Sequence, residues 1–391
     1  MEKEYTKKNM ARKKVMGQTM KITEYFEDVE TVREYNGYFC SVGEAITMVI
    51  LGSICGLRNV SQIQQWASSQ QMKIFLMEYF AIKAVPCYYW LLCLMKLIKP
   101  ESLNQCFIKW AQTFMPEEGK KITISFDGKT IRSTEKMDKY ESPLHIVSAQ
   151  LSELGITIGQ QTVDGKSNEI PAVRELIGLL EIEGCMVVAD ALNCQKETAK
   201  AVIEAKADYL FNVKDNQETL KEDIEDYVQD EVLRKTMDTF TTLEKNSGRI
   251  ERRTAYATLD INWLFGKEAW ANLVCIGAVN RQFTDKKGTS NEWHYYISSC
   301  KLTAKELLNH ARLEWSVESM HWLLDVHFIE DSCRIEDRNV QQSLNIFRKI
   351  ALNCIKDHKE KTKSKRAISK IMFDCLLDPE NMLPILNYYE N

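Results

Sequence analysis

Apolar residues recur at three- and four-residue spacing from about Ser41 to Pro116, in runs such as "VGEAITMVILGSICGL", "VSQIQQWASSQ" and "CYYWLLCLMKLI". That period predicts a compact helical domain over 26–116, with Trp66, Trp90 and Trp110 read as core. After Pro116 the period shortens to two. "KITISFDGKTI" alternates up to Phe126 and ends in Asp-Gly, a strand running into a turn. "LHIVSAQLS" and "ITIGQQTV" follow as strands joined by a hairpin-length connection at Glu153–Gly155. Ser167 and Asn168 are placed to cap a helix whose apolar stripe is Ile170, Val173, Ile177 and Leu180, with Pro171 in its first turn.

"CMVVADA" (Cys185–Ala191) reads as a fourth strand, its unbroken apolar run suited to burial on both faces. A helix from about Gln195 to Ala207 leads to a fifth, "DYLFNVK". Beyond lie a charged helix (Gln217–Leu233) and three strand-like runs, "RIERRTAYATLD", "LVCIGAVNRQF" and "EWHYYISS". Helical periods return at Thr303–Val326 and at Val340–Lys356.

Composition narrows the class. The chain has 391 residues, 45% hydrophobic and 27% charged, which suits two or three folded domains rather than a disordered protein. No apolar run approaches the roughly 20 residues that cross a bilayer, and no secretory signal follows the basic start, so a cytoplasmic protein without a membrane is expected. Twelve cysteines are scattered without a Cys-x-x-Cys pair, which argues against zinc knuckles and a disulfide framework.

Net charge is −4, yet both ends are basic: residues 1–25 carry seven Lys/Arg against three acids, and Lys356–Lys370 seven against two. Such ends serve as solvated termini or as phosphate contacts. The expected layout is a basic tail (1–25), a helical domain (26–116), an α/β domain (117–215 and 300–356) interrupted by a β-rich insertion (216–299), and a basic helical C-terminal segment (357–391).

The chemistry candidates are carboxylates. If the first and fourth strands are sheet neighbours, Asp127 and Asp190 emerge from adjacent strand ends into one crevice. Two close carboxylates repel, and a divalent cation relieves the repulsion; hard oxygen ligands favour Mg²⁺ or Mn²⁺. A third acid is expected from Thr303–Val326, where Glu314, Glu318, His321 and Asp325 form a polar stripe beside the apolar stripe Leu313, Val317, Met320 and Leu324. An ordinary solvated helix face has the same pattern. Glu330 and Asp331 compete, and Asp164, Glu169 and Asp215 lie near expected strand ends.

The strings "FDGKTIR", "DGKSNEIPAV", "VVADALNCQKETA", "YLFNVKDNQ", "GRIERR", "EWSVESMHWLLDVHFIEDSCRI" and "NIFRKIALN" resemble, in order and spacing, DDE-type insertion-sequence transposases of the subgroup that includes the H-repeat-associated proteins. The resemblance runs from about Phe26 to Lys356. It implies a transposase-associated helical domain and an RNase H-like catalytic domain with a β-rich insertion. It implies Asp127, Asp190 and Glu318 as catalytic and metal-binding acids, with Glu330 as competitor for the third, and two Mg²⁺ or Mn²⁺ ions per site.

For DNA contacts the resemblance implies Lys129, Arg132, Lys166, Asn193, Lys214, Arg249 and Arg252; it implies Lys166, Asn168 and Glu169 as ordering the site edge, and Asn193, Lys214, Asn216 and Gln217 as touching substrate or the acids. Ser247, Glu314, Ser319 and Asp215 depart from the residues usual in that family. The implied activity is cleavage at transposon ends and 3′-OH strand transfer into double-stranded DNA, by a homodimer on DNA, nucleoid-associated when bound. The alternatives are an RNase H-like nuclease without strand transfer and a domesticated DNA-binding protein.

Overall fold

The computed structural model describes residues 22–35, 39–115, 122–136, 142–163, 168–246, 249–285, 288–314 and 316–387. Most of the basic tail and Lys166 lie outside them. The chain divides into two compact units, one of Met1–Met115, Ile131–Pro143 and His321–Asn391, the other of Pro116–Thr130 and Leu144–Met320.

The first unit is helical, as its periodicity predicts. Ser41 opens α1 (Val42–Ile54) with a capping box to Glu44, and the ten residues Ala45–Ile54 are all buried. Asn59 caps α2 (Val60–Ala67) and Ser69 caps α3 (Gln70–Phe80). Two more helices follow, α4 (Tyr88–Leu97) and α5 (Pro100–Ala111), the latter with proline in its first turn.

The second unit is built on one nine-stranded mixed sheet of order β3-β2-β1-β4-β5-β9-β8-β7-β6. β1 (Thr123–Thr130), β2 (His145–Leu151) and β3 (Ile156–Thr162) form the expected antiparallel meander. Asn168 caps α6 (Glu169–Leu179), which buries Ala172, Val173, Leu176 and Ile177. β4 (Met186–Ala189) is buried at every position, and α7 (Lys196–Glu204) returns the chain to β5 (Asp208–Val213). β4 lies parallel to β1 and to β5, so the strand order β1-β4-β5 gathers three carboxyl ends at one edge.

The region after β5 holds α8 (Glu218–Gln229) and four strands, one more than the sequence pattern predicts: β6 (Asp238–Asn246), β7 (Arg249–Thr258), β8 (Cys275–Asp285) and β9 (Gly288–Ser298). β6 reads "DTFTTLEKN", whose threonines and charges conceal a strand from an apolar-period search. β9 pairs antiparallel with β5, so these strands extend the sheet. Met186, Val188 and Leu210 share one apolar cluster with Ala255, Ala257, Cys275 and Val279, covered by Leu307, Leu308 and Ala311 of α9 (Ala304–Leu313). Gly277 permits this approach, since a Cβ there would meet Leu307 Cδ1 at 2.3 Å and the Tyr256 carbonyl oxygen at 2.5 Å.

The single helix predicted over Thr303–Val326 is in fact two. α9 stops at Leu313, Glu314 serves as its C-cap, and α10 (Ser316–Phe328) starts afresh. Ser316 at the restart lies 3.3 Å from the Ser125 hydroxyl and accepts from Gln150 at 3.4 Å, contacts an uninterrupted solvated face would lack. In the helical unit, Asp337 caps α11 (Arg338–Thr362), which packs against α1, and α12 (Ile368–Leu377) follows. No helix of the described residues is long and apolar enough to cross a membrane.

Candidate functional site

Phe126 of β1 and Ala189 of β4 are the last partners in their parallel register. Asp127 and Asp190, the next residue on each chain, therefore leave neighbouring strands at the same edge. Asp190 opens a short 3₁₀ turn, Ala191–Asn193, and its Oδ1 accepts from the Asn193 backbone N–H at 3.3 Å and side-chain amide at 3.0 Å. Burial pushes its carboxyl above the usual range; the Asn193 hydrogen bonds oppose this, while the charges of Glu169 and Asp127 add to it.

Glu169 enters the cluster from the first turn of α6. Its Oε2 lies 3.1 Å from His145 Nε2, and the opposite ring nitrogen meets the Thr130 hydroxyl at 2.7 Å. Gly128 makes room for this pair: a Cβ there would fall 1.9 Å from Glu169 Oε2 and 2.6 Å from His145 Nε2. The residue after Asp127 is thus glycine because a neighbouring acid occupies its side-chain space.

At the helix break the structure buries Glu314, which the sequence pattern places on an exposed polar stripe. Glu314 is only 8% exposed, and burial raises its pKa to about 8. The charges of Asp190 and Glu318 raise it further, opposed by the Lys214 ammonium and a hydrogen bond from Asn212. Glu314 is more deeply buried than Asp190, and burial leads the causes that raise both carboxyls. Glu318, one turn on, is exposed in the first turn of α10. The sequence signal available was its departure from the family pattern.

The loop after β5 holds the loop after β4. Asn216 donates to the Ala191 carbonyl at 2.6 Å, and Gln217 donates to the Cys194 carbonyl at 3.0 Å. Asn193 is buried, and its amide is bonded to Asp190. Lys214 is exposed at the end of β5, on the side that Glu314 feels.

Glu330 is fully buried in the helical unit, accepting from Asn345 at 2.7 Å with Arg348 at 3.9 Å. Arg132 belongs to the same unit and pairs with Asp331 at 3.5 Å. Lys129 is half-buried on β1. Arg252 is exposed on β7, opposite Leu243 and Gln282. Its neighbour Arg253 faces the other way and pairs with Glu244 at 3.1 Å and Glu251 at 2.7 Å, within a ladder that continues to Arg281 and Glu292. Arg249 is on β7 and its side chain lies outside the described atoms, as does all of Lys166.

Among the described residues no three His, Cys, Asp or Glu side chains converge closely enough to enclose a metal ion. The donor set nevertheless fits a hard divalent cation. Asp127 and Asp190 present carboxylate oxygens from adjacent strand ends, the hard donors such an ion takes; burial first, and neighbouring carboxylates after it, lift Asp190.

Asp127 and Asp190 thus stand at the carboxyl edge of a parallel strand pair, the place where open α/β sheets hold their ligands. Residues 118–354 match the transposase DDE domain, and residues 23–111 match its associated domain. The chain belongs to this DDE transposase family, which groups it with DNA-processing enzymes of insertion sequences. Two relatives carry transposase names. YhhI of Escherichia coli strain K12, H repeat-associated, is 29% identical across 87% of this chain and 92% of its own length. YncI of Escherichia coli O157:H7 is 34% identical across 66% of this chain and 68% of its own. YbfL of strain K12 is 30% identical across 80% and 84%. A piggyBac transposase synaptic complex with hairpin DNA covers 91% of this chain and 75% of that chain at 10% identity, with a TM-score of 0.46.

Proposed function

We propose that this chain cuts DNA at transposon ends and joins the released 3′-OH to target DNA, using an RNase H-like site of Asp127, Asp190 and Glu318. The observation that carries the reading is the parallel register of β1 and β4, which makes Asp127 and Asp190 neighbours although 63 residues separate them.

These three acids would hold two Mg²⁺ or Mn²⁺ ions, which when bound neutralise phosphoryl oxygens and activate the attacking water or 3′-hydroxyl. The chain's own contribution is positional. The sheet edge fixes Asp127, Asn193 fixes Asp190, and the first turn of α10 presents Glu318 to solvent, where a phosphodiester has access. Lys214 supplies positive charge beside the acids, and Lys129 and Arg252 contact backbone phosphate, with Arg132, Lys166 and Arg249 as further contacts. Glu330 is left out because Arg348 and Asn345 already satisfy its carboxylate inside the helical unit. The partner is double-stranded DNA, bound by a homodimer that brings two ends together in the cytoplasm.

The test is an Mg²⁺-dependent assay of the full chain on duplex carrying an element end. Wild type is expected to nick and to join 3′ ends, and Asp190→Asn to do neither while melting at an unchanged temperature. Retained nicking by Asp190→Asn would overturn the site. Nicking by wild type without joining would reassign the chain to a nuclease.

A further inference from the structure

Beside the acid cluster, within the same unit, lies a groove of about 490 Å³ lined by Arg174, Gln195, Lys196, Glu197 and Gln217. Its walls continue the elements that place the acids. Ile170 and Arg174 share one face of α6, one and five residues after Glu169, and Gln195 and Lys196 follow the Asp190 turn into α7. Gln217 braces the floor through its bond to the Cys194 carbonyl and lies 3.4 Å from Gln195 Oε1.

The charges here are uncommitted. Among the described residues neither Arg174 nor Lys196 has an ion-pair partner, whereas the nearby acids are engaged: Glu175 accepts from Gln161 at 3.0 Å and Glu169 meets His145. Among the residues that line the groove, Glu197 is the one acid beside the two cations. The amides of Gln195 and Gln217 add neutral hydrogen-bonding groups. Two free cations and two amides around a concave, open surface suit a phosphodiester, which offers anionic oxygens and no donors.

We propose that this groove is a phosphate subsite that holds the DNA strand on one side of the linkage lying at the acids, with Arg174 and Lys196 as its anion contacts. The inference rests on the phosphoryl-transfer reading above and adds a place for the strand beyond the scissile bond. A DNA strand carries one charge per about 3.4 Å of helix axis, so a strand crossing the acids must set further phosphates down along the same sheet edge. The acids repel those phosphates, and the groove offers two cations, Arg174 on α6 and Lys196 at the start of α7.

The test measures binding of a labelled random-sequence duplex to the full chain across a salt series, since backbone contacts are sequence-independent. R174Q/K196Q is expected to weaken binding roughly tenfold at about 0.1 M salt and to flatten the slope of log K against log salt by about two. E197Q is expected to tighten binding a few-fold, a gain that no unfolding defect can mimic. K235Q/K301Q, which removes two exposed lysines away from the groove, is expected to change the slope less than half as much. A slope unchanged in R174Q/K196Q, or an equal loss in K235Q/K301Q, overturns the subsite while leaving the catalytic reading intact. Failure of wild type to bind duplex at all would instead overturn the function itself.

Discussion

The side-chain amide of Asn216 donates to the carbonyl of Ala191 at 2.6 Å, so the loop that ends β5 grips the residue next to Asp190. With Gln217 on Cys194, this grip lets the two parallel strand ends set each other's geometry. Asn216→Ala should lower Mg²⁺-dependent cleavage by about 10- to 100-fold, as the loss of a group orienting a metal ligand typically does. Thermal melting should shift only slightly, because Asn216 is exposed. A full loss of folded protein would contradict a positioning role.

Glu314 makes stability depend on pH. Its pKa rises from 4.5 to about 8 in the folded chain, so the fold takes up a proton the unfolded chain has released. The stability this contributes is complete below about pH 4.5 and is lost as pH climbs through about 8. Glu314→Gln should therefore flatten urea-derived stability between these values and exceed wild type above pH 8, by a few kcal/mol. Parallel curves for the two proteins would show that Glu314 is charged at neutral pH.

Glu330 and Glu318 should separate by phenotype. Glu330→Ala leaves the Arg348 guanidinium, itself buried, facing no carboxylate, at a cost of about 3–5 kcal/mol in denaturant unfolding. Glu318→Gln, at an exposed position, should change stability by less than about 0.5 kcal/mol yet abolish Mg²⁺-dependent cleavage. The reverse pattern would make Glu330 the functional acid.

Adjacent arginines on β7 should also diverge. Arg252→Ala should weaken duplex binding and reduce the salt slope by about one, leaving melting unchanged. Arg253→Ala breaks bonds to Glu244 and Glu251 on the opposite face, and Glu244 is also held by Arg312 of α9 at 2.5 Å. Its effect should appear in the melting temperature instead. Equal loss of binding in both variants would mean that the β7 charge acts without regard to face.

The elements that proved legible are those whose periods are set locally. The alternation before Asp127, the unbroken apolar run before Asp190 and the Asn168 cap each depend on burial or capping within a few residues, and each appears where the pattern puts it. β6 escaped because its threonines and charges are half-satisfied by cross-strand pairing with β7, which no local period encodes. The stripe Glu314, Glu318, His321 and Asp325 assumes one continuous helix; the break after Leu313 sets Glu314 apart and leaves the other three on α10.

By itself the sequence determined most strands and helices, though not β6 or the break after Leu313, together with the family and the two aspartates at strand ends, because hydrophobic period and short motifs fix local structure. Only the tertiary structure decided which acids share an electrostatic neighbourhood. Burial, with the charges of Asp190 and Glu318 adding to it, lifts the Glu314 carboxyl against the opposing hydrogen bond from Asn212, and a charge partner 18 residues along the chain, Arg348, sits beside the buried Glu330. A carboxyl's protonation depends on what surrounds it in space, and those surroundings are assembled from residues far away in the chain.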